Sequence, residues 1–438
     1  MSQVINVGLI GWGTVGTGVS RILTERAEML AQRTGITLRL ARIADLDITT
    51  PRGVRVDRSI LTTDANEVLD DPDIQIVVEL IGGIEPAKSF ILKAIRNGKP
   101  VVTANKALLA HHAEEIFAEA HKFGVNVYFE GSVGGGIPII KSLREGLIAN
   151  GIREIYGIIN GTANFILTKM TEEGADFEEA LREAQKNGYA EADPTFDVEG
   201  HDTAHKIAIL SALAYGGKVE LEKVYVEGIT RITPKDIQYA RELGYVIKLL
   251  AISKFHDGKA EVRVHPTMLP EKSTLANVRG VFNGIYVVGD AVGPTMFYGQ
   301  GAGQMPTASA VTADLIDIAR RIVSKAPPYI PPCWKPEAPY LEVMPIDECE
   351  SRYYVRYIVV DRPGVLAKIS GILGRHNISI ASVIQKEQYD EESVYLVMMT
   401  HRARESAMRR AVEEIDKLDV VRAKTMVIRV EELSLIHI

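Results

Sequence analysis

The apolar positions at the start of the chain predict a buried strand that is followed directly by an amphipathic helix. Residues 4–10 (VINVGLI) form the nearly continuous apolar run of a strand in a parallel sheet. Apolar residues then recur at helical spacing, at Val15, Val19, Ile22 and Leu23. Between the two segments lies a G-x-G-x-x-G turn made of Gly11, Trp12, Gly13, Thr14, Val15 and Gly16. This order predicts a dinucleotide site at the helix N-terminus, with an ordinary βα turn as the alternative.

Strand and helix patterns continue to alternate after this first unit. Apolar runs at residues 37–44, 74–80, 101–103 and 125–129 are separated by helical patterns. Such repetition predicts an α/β fold with a doubly wound parallel sheet of the Rossmann type. We assign it to residues 1–135 and expect the helix near 305–325 to pack back on it. A central α/β domain for catalysis, substrate binding and dimerisation is predicted for residues 136–325.

The C-terminal part differs in proline content and in the order of its predicted strands and helices. Residues 326–345 contain seven prolines, which predicts an extended linker over 326–350. Beyond it, strand and helix patterns follow the order βαββαβ, which predicts a ferredoxin-like domain over residues 351–433. Because this domain shows no catalytic cluster, we interpret it as a regulatory or association module.

Composition narrows the class of protein. A length of 438 residues suggests about three domains. The net charge of −7 argues against nucleic acid as a partner. No apolar run would span a bilayer and no signal segment is visible, so a cytoplasmic protein without a membrane partner is expected. Cys333 and Cys349 are too few for a disulfide framework or a structural zinc site.

Several acidic residues precede a lysine within residues 188–206 (GYAEADPTFDVEGHDTAHK). Asp202 and Lys206 are four residues apart and would share one helix face. An ordinary surface ion pair would show the same spacing. The next residues, 207–214, are apolar nearly all round the helix, which indicates burial. A lysine entering a buried helix should lie at the edge of a cleft, where a lowered pKa would suit it to proton transfer. His201 and His205 share this spacing, but no third metal ligand is evident.

Two further residues stand where ligands bind in such folds. Lys106 follows the short strand at 101–103, and the carboxyl ends of parallel strands form the ligand crevice. It could contact a cofactor or substrate, or simply be solvated. Glu130 precedes a glycine-rich loop and could hold a cation together with backbone carbonyl oxygens, since hard ions prefer oxygen ligands.

The second strand leaves the choice between the two nicotinamide dinucleotides open. Asp45 closes this strand and would favour the ribose hydroxyl of NAD. Arg42, Arg52 and Arg55 lie near enough in sequence to hold the 2′-phosphate of NADP.

The motifs, taken together, resemble the homoserine dehydrogenase family. The resemblance covers about residues 1–325, and residues 361–385 resemble an ACT domain, a module that binds small molecules. The segments that resemble the family are GLIGWGTVG (8–16), TANK (103–106), EGSVGGGIPII (130–140), NGTANFIL (160–167), GYAEADPTFDVEGHDTAHK (188–206) and GQGAGQMPTASAV (299–311).

The resemblance implies NAD- or NADP-dependent interconversion of L-homoserine and L-aspartate 4-semialdehyde, on the route to threonine and methionine. It implies a homodimer or homotetramer. Lys206 would donate the proton to the aldehyde oxygen, or accept it in reverse. The other implied roles are substrate binding by Glu191, Asp202, Lys106 and Asp197, cofactor binding by Gly11–Gly16, Lys106, Gly188, Glu191 and Gly303, and sodium binding by Glu130, Val133, Gly135 and Ile137.

The ACT resemblance implies an amino-acid effector, with threonine expected from the pathway. The turn at residues 361–364 leads into a helix whose free N–H groups could receive a carboxylate, and Asn377 lies close by in sequence. Two other functions remain possible alternatives. One is a reductase of another amino-acid semialdehyde, which would lack the 191–206 segment. The other is a non-catalytic sensor, which would predict a broken glycine turn or a missing lysine.

Overall fold

The computed structural model describes residues 3–385 and 393–433. Its strands are β1 (Gln3–Ile10), β2 (Ile36–Ala44), β3 (Leu61–Thr62), β4 (Ile76–Glu79), β5 (Val101–Thr103), β6 (Val127–Tyr128), β7 (Ile152–Ile158), β8 (Tyr225–Val226), β9 (Tyr245–His256), β10 (Lys259–Pro270), β11 (Phe282–Gly289), β12 (Gly293–Gln300), β13 (Glu342–Val343), β14 (Glu350–Val360), β15 (Ile380–Ile384), β16 (Ser393–Thr400), β17 (Ala403–Arg404) and β18 (Met426–Val430). Its α-helices are α1 (Thr14–Glu25), α2 (Ala27–Thr34), α3 (Asn66–Leu69), α4 (Ala87–Arg96), α5 (Lys106–Phe123), α6 (Ile139–Lys141), α7 (Gly161–Glu173), α8 (Phe177–Lys186), α9 (Thr195–Val198), α10 (His201–Tyr215), α11 (Pro234–Glu242), α12 (Gln304–Ser324), α13 (Val365–Arg375) and α14 (Glu405–Ile415). Within these residues, no helix is both long enough and apolar enough to cross a bilayer.

The chain forms two compact units, each assembled from separated stretches of sequence. The first unit contains the residues up to Gly161 together with 202–221 and 281–341. The second contains residues 162–201, 222–280 and the chain from Glu342 onward. The domain limits predicted at residues 135, 325 and 350 follow the order of the chain and stay a prediction.

The first unit is built on a parallel sheet with the strand order β3-β2-β1-β4-β5-β6. The order reverses between β1 and β4, which creates the crevice where open α/β sheets bind ligands. This confirms the predicted doubly wound α/β fold. The long helix α12 packs on the same core as α1, through buried residues such as Val311 and Leu315. The unit also contains the antiparallel strands β7, β11 and β12.

The second unit contains the ferredoxin-like domain that the sequence predicts. Its strands follow the order β18-β14-β16-β15, and one core joins them to helices α13 and α14. In the same unit, β9 and β10 form a long antiparallel hairpin. The last strand, β18, pairs in parallel with β10, with Thr267 opposite Arg429 and Met268 opposite Val430. The C-terminal domain therefore extends a sheet that earlier residues begin.

Buried ion pairs reinforce this junction within the second unit. Asp236 of α11 is fully buried and accepts hydrogen bonds from Arg356 of β14, at 2.6 Å from Nε and 3.0 Å from Nη2. Arg263 of β10 is paired with Glu431, just beyond β18, at 2.7 Å. A regulatory module joined only by a flexible linker would not form buried ion pairs with the residues that precede it.

The proline-rich segment, predicted as an extended linker, contacts other parts of the chain. It contains short 3₁₀ turns, and the side chains of Cys333 and Trp334 are buried. The Trp334 ring stacks on Phe117 of α5, with ring centroids 4.6 Å apart. Proline density reports on backbone conformation, and Cys333 and Trp334 show that residues between the prolines can pack into the first unit. The linker over 326–350 stays a prediction.

Candidate active site

The glycine turn after β1 has the backbone geometry that a dinucleotide site requires. Gly11 has φ of +96°, and a Cβ there would lie 2.6 Å from the carbonyl carbon of Leu80. A Cβ on Gly16 would lie 2.1 Å from the carbonyl oxygen of Gly11, so helix α1 can approach the turn only with glycine at this position. Gly13 is exposed, with open space where a Cβ would be. A phosphate could therefore approach the backbone at the N-terminus of α1.

A cavity of about 510 Å³ opens beside this turn, at the carboxyl ends of β1, β2 and β4. Gly11 and Gly13 line it on one side, and Asp45, at the end of β2, lines it on another. The remaining lining residues include Asp64 and Phe90, and none of the described ones is a lysine or an arginine. The cavity lies where open α/β sheets of this kind bind a dinucleotide.

Polar contacts hold the Asp45 carboxylate at the edge of this cavity. Its Oδ2 accepts a hydrogen bond from the backbone N–H of Trp12 at 2.5 Å, and its Oδ1 accepts one from Asp47 at 2.9 Å. Arg52 lies 3.7 Å from Asp45 and 3.4 Å from the Asp47 carboxylate. Arg42 is paired with Glu67 at 2.5 Å. The fourth candidate side chain, Arg55, is exposed.

A second cluster lies in the same unit, where two lysines converge on one carboxylate. Lys106, the first residue of α5, places its Nζ 2.6 Å from Oδ1 of Asp202. Lys206, one turn along α10 from Asp202, places its Nζ 2.7 Å from Oδ2. Lys206 also donates to the carbonyl oxygen of Ile159 at 2.7 Å, and Asn160 donates to Oδ2 of Asp202 at 2.8 Å. The predicted Asp202–Lys206 pair therefore forms, and Lys106 joins it from a distant part of the sequence.

Burial and charge make this cluster strongly polarised. Asp202 is 1% exposed and Lys206 is 8% exposed. Burial opposes ionisation of Asp202, but the ammonium groups of Lys206 and Lys106 outweigh it and hold the pKa of this carboxyl well below its usual range. A carboxylate held between two ammonium groups can fix the position of both lysines. The cluster thus supplies preorganised cations, which can stabilise a developing oxyanion and deliver a proton.

Sequence reasoning missed two members of this cluster. Asn160 and the Ile159 carbonyl follow directly after β7, and their partners are 42 and 47 residues further along the chain. The available signal was the position of a polar residue at the end of a buried strand.

The other predicted site residues are divided between the units. Gly188, Glu191 and Asp197 belong to the second unit, where Glu191 is exposed and Gly188 has φ of +73°. Gly303 belongs to the first unit and immediately precedes α12, with φ of +120°.

Glu130 lies in a buried acidic region of the first unit. Its carboxylate accepts hydrogen bonds from the backbone N–H groups of Ile140 at 2.9 Å and Lys141 at 2.7 Å. Its own N–H donates to the buried carboxylate of Asp314 at 2.7 Å. Burial raises the pKa of Glu130 to about 7, although the N–H groups of Lys141 and Ile140 act in the opposite direction.

The loop beyond Glu130 contains the other predicted cation ligands. Val133, Gly135 and Ile137 are all buried, and Gly135 has φ of +52°. Among the residues that the structure describes, no group of three His, Cys, Asp or Glu side chains is arranged to hold a metal ion. A cation in this loop would therefore depend mainly on backbone carbonyl oxygens.

Family models match the chain in three places. Residues 11–130 match the homoserine dehydrogenase NAD-binding domain, residues 138–316 match homoserine dehydrogenase, and residues 353–420 match the ACT domain. Together with the parallel sheet and its glycine turn, these matches define a nicotinamide-dependent oxidoreductase with a C-terminal ACT domain.

Relatives extend this similarity over the whole chain. A homoserine dehydrogenase of Neisseria gonorrhoeae is 46% identical over 431 residues, which cover 98% of this chain and 99% of the relative. The crystal structure of a homoserine dehydrogenase from Thiobacillus denitrificans is 47% identical, with a TM-score of 0.91 and 99% coverage of both chains. A hyperthermophilic archaeal homoserine dehydrogenase in complex with NADPH is 27% identical, with a TM-score of 0.63, and covers 73% of this chain and 98% of its own. The chain belongs to the homoserine dehydrogenase family.

Proposed function

We propose that this enzyme interconverts L-homoserine and L-aspartate 4-semialdehyde by hydride transfer, with Lys206 as the proton donor to the aldehyde oxygen. The observation that supports this role is the buried cluster in which Lys106 and Lys206 both contact Asp202. When bound, NADH or NADPH would supply the hydride for reduction of the aldehyde, and NAD or NADP would accept it in the reverse direction. The cavity beside the glycine turn holds the dinucleotide, with residues 11–16 and Gly303 around its phosphates.

The contacts within the cluster suggest a separate role for each of its charged residues. As the aldehyde carbon is reduced, its oxygen gains negative charge, which a nearby ammonium group stabilises. Lys206 delivers a proton to that oxygen and accepts it in the reverse reaction. Lys106, which contacts the other oxygen of the Asp202 carboxylate, binds the substrate beside Lys206. Because Asp202 contacts both lysines, we propose that it positions them rather than binding the substrate ammonium itself.

The substrate ammonium group needs acidic partners, and we assign them to the 188–206 segment. Glu191 and Asp197 are the candidates, and Gly188 and Glu191 are also proposed as cofactor-binding residues. The alternatives of a sensor or of another semialdehyde reductase are tested by one assay. Absorbance of the reduced nicotinamide is followed with homoserine as substrate, and with other amino alcohols as controls. No turnover of homoserine with either dinucleotide would reject the proposed function.

We expect this enzyme to prefer NAD to NADP, since Asp45 faces the cavity and its described lining offers no cation to a 2′-phosphate. Asp45→Ser removes the repulsion and should raise kcat/KM for NADP relative to NAD by about tenfold, equivalent to about 1.4 kcal/mol. Asp57→Ser, a change to an exposed aspartate outside this cavity, is the control. An unchanged NADP/NAD ratio in Asp45→Ser would contradict the role given to this carboxylate.

We also propose that a monovalent cation, most simply sodium, binds the backbone carbonyls of Val133, Gly135 and Ile137 together with Glu130. The proposal is supported by the neighbouring buried carboxyl groups of Glu130 and Asp314. Activity should then be higher in sodium chloride than in choline chloride at equal ionic strength. Glu130→Gln should raise the sodium concentration for half-maximal activity by about tenfold. Equal activity in both salts would count against the site.

The C-terminal domain is proposed to bind L-threonine and to inhibit the enzyme, within a homodimer or homotetramer. Gly364, with φ of +88°, precedes α13, and the exposed Asn377 has φ of +58°. A ligand carboxylate could be held at the N-terminus of α13. The strand β15 lies at the end of its sheet, where a second copy could pair.

Asn377→Gly tests this regulation without disturbing the backbone, because glycine accepts a positive φ. Threonine binding here is expected to be coupled to inhibition by about 1–3 kcal/mol. Because the variant lacks the Asn377 side chain as a threonine contact, it should need about tenfold more threonine for half-inhibition. Its activity without threonine should remain that of the unmodified enzyme. Identical inhibition curves, or no inhibition of the unmodified enzyme, would refute the proposed effector site.

A further inference from the structure

A lysine interrupts the apolar sequence of β9. Residues 245–252 read YVIKLLAI, and Lys248 is only 2% exposed. Because alternate residues of a strand share a face, Lys248 points to the same side as Val246. An ammonium group buried in this way needs compensating partners. The proposed reaction does not use this lysine.

The partners that Lys248 has are neutral. Its Nζ donates to Oδ1 of Asn164 at 2.9 Å and to the carbonyl oxygen of Val278 at 2.5 Å. Asn164 is held in turn by donating to the carbonyls of Val278 and Gly280. Among the residues described, no carboxylate forms an ion pair with Lys248. An ammonium group has three N–H bonds, so one remains for a further acceptor.

Lys248 lines a cavity of about 340 Å³ within the second unit. The charged residues around it are Lys248, Arg241, Arg279, Glu172 and Glu271. Arg279 and Glu172 form an ion pair with each other at 3.0 Å. The formal charge of this set is one positive, with Lys248 as its most buried member.

We propose that this cavity binds a small carboxylate of amino-acid size, whose carboxylate group accepts the third N–H of Lys248. The ligand would give Lys248 a carboxylate in direct contact, which none of the described residues provides, and the volume suits a molecule of a few heavy atoms. This site is separate from the effector site proposed in the C-terminal domain, and it does not depend on the reaction assigned to Lys206.

The electrostatics of Lys248 agree with such a ligand. Burial, with a smaller contribution from the charge of Arg279, lowers the pKa of Lys248 to about 7, and Glu172 acts in the opposite direction. An anion beside Nζ favours the charged form, so binding and protonation reinforce each other. Affinity for a carboxylate should therefore fall as the pH rises above 7.

The experiment observes Lys248 itself in the full-length enzyme. The chain is labelled with lysine carrying ¹³C at Cε, and the Lys248 resonance is assigned by its absence from Lys248→Met. Sodium propionate is the probe, with sodium chloride at equal ionic strength as the control. We expect a saturable shift of the Lys248 resonance with propionate alone, and binding about tenfold tighter at pH 6 than at pH 8.5.

Two further variants define the site. Arg241→Gln, at an exposed position on the cavity rim, should weaken propionate binding, whereas Lys272→Met, at an exposed position next to Glu271, should not. Where Lys248→Met does not fold, the resonance is assigned instead by its absence from Lys248→Arg, which keeps a cation at this position. No saturable shift, or an equal shift with chloride, would overturn the proposal. A response to inorganic phosphate but not to propionate would overturn the ligand class.

Discussion

Replacing Lys206 with methionine should lower kcat by about 10²- to 10⁴-fold, which is the range for loss of a general acid–base group. Methionine keeps the length of the side chain but removes the donor. The fold should persist, because Asp202 keeps its contacts with Lys106 and Asn160. Dinucleotide affinity should change little, since the glycine turn is untouched. Steady-state kinetics in both directions and fluorescence titration with the dinucleotide measure these two effects.

Lys169→Met is the matched control for this loss. Lys169 lies on α7 and is paired with Glu173 at 2.7 Å and Glu183 at 2.9 Å, so its change removes a lysine from an ordinary helix ion pair. It should retain nearly full activity. If Lys206→Met keeps the kcat of the unmodified enzyme, proton transfer must be assigned to another group.

Replacing Arg356 with methionine should destabilise the protein by about 3–5 kcal/mol, because it leaves the Asp236 carboxylate buried and without its cation. Asp236 is fully buried, and Arg356 provides two of its hydrogen bonds. For a unit of about 150–250 residues, the size of the second unit, each kcal/mol corresponds to roughly 2–4 °C in melting temperature. Thermal unfolding followed by circular dichroism should therefore show a fall of roughly 6–20 °C.

The same strand offers the control. Arg352 also lies on β14, but its partner Glu432 is 54% exposed. Exposed pairs contribute about 0–1 kcal/mol, so Arg352→Met should lower the melting temperature only slightly. Removing both charges in Arg356→Met/Asp236→Leu should recover part of the lost stability. Equal losses for the two arginine variants would mean that the Asp236 contact adds nothing beyond a surface pair.

Local patterns in the sequence predicted the parts of this molecule that are formed by neighbouring residues. The glycine turn, the βαββαβ order and the i, i+4 pair of Asp202 and Lys206 are all of this kind, and each is present in the structure. The apolar surface of α10 after Lys206 correctly indicated burial.

Contacts between distant residues were harder to predict. Lys106 reaches Asp202 because side chains of α5 and α10 meet in the folded chain, as the edge-to-face contact of His111 with His205 also shows. Asn160 depends on where β7 ends. Sequence spacing does not predict the contact of Asp202 with Lys106 or with Asn160. The choice between NAD and NADP was open from sequence because it depends on which side chains face the cavity, and three nearby arginines could have done so.

The pairing of β18 with β10 has a consequence for the synthesis of the protein. The strand β18, which pairs with β10, begins at Met426, long after β10 ends at Pro270. A ribosome exposes the chain from its N-terminus, so β9 and β10 leave the tunnel long before their last neighbour exists. Until β18 has been synthesised, Thr267 and Met268 of β10 lack their parallel strand partners, and Arg263 lacks Glu431. Nascent chains stalled before residue 426 should therefore depend on chaperones and be sensitive to proteases, and chains released at full length should not.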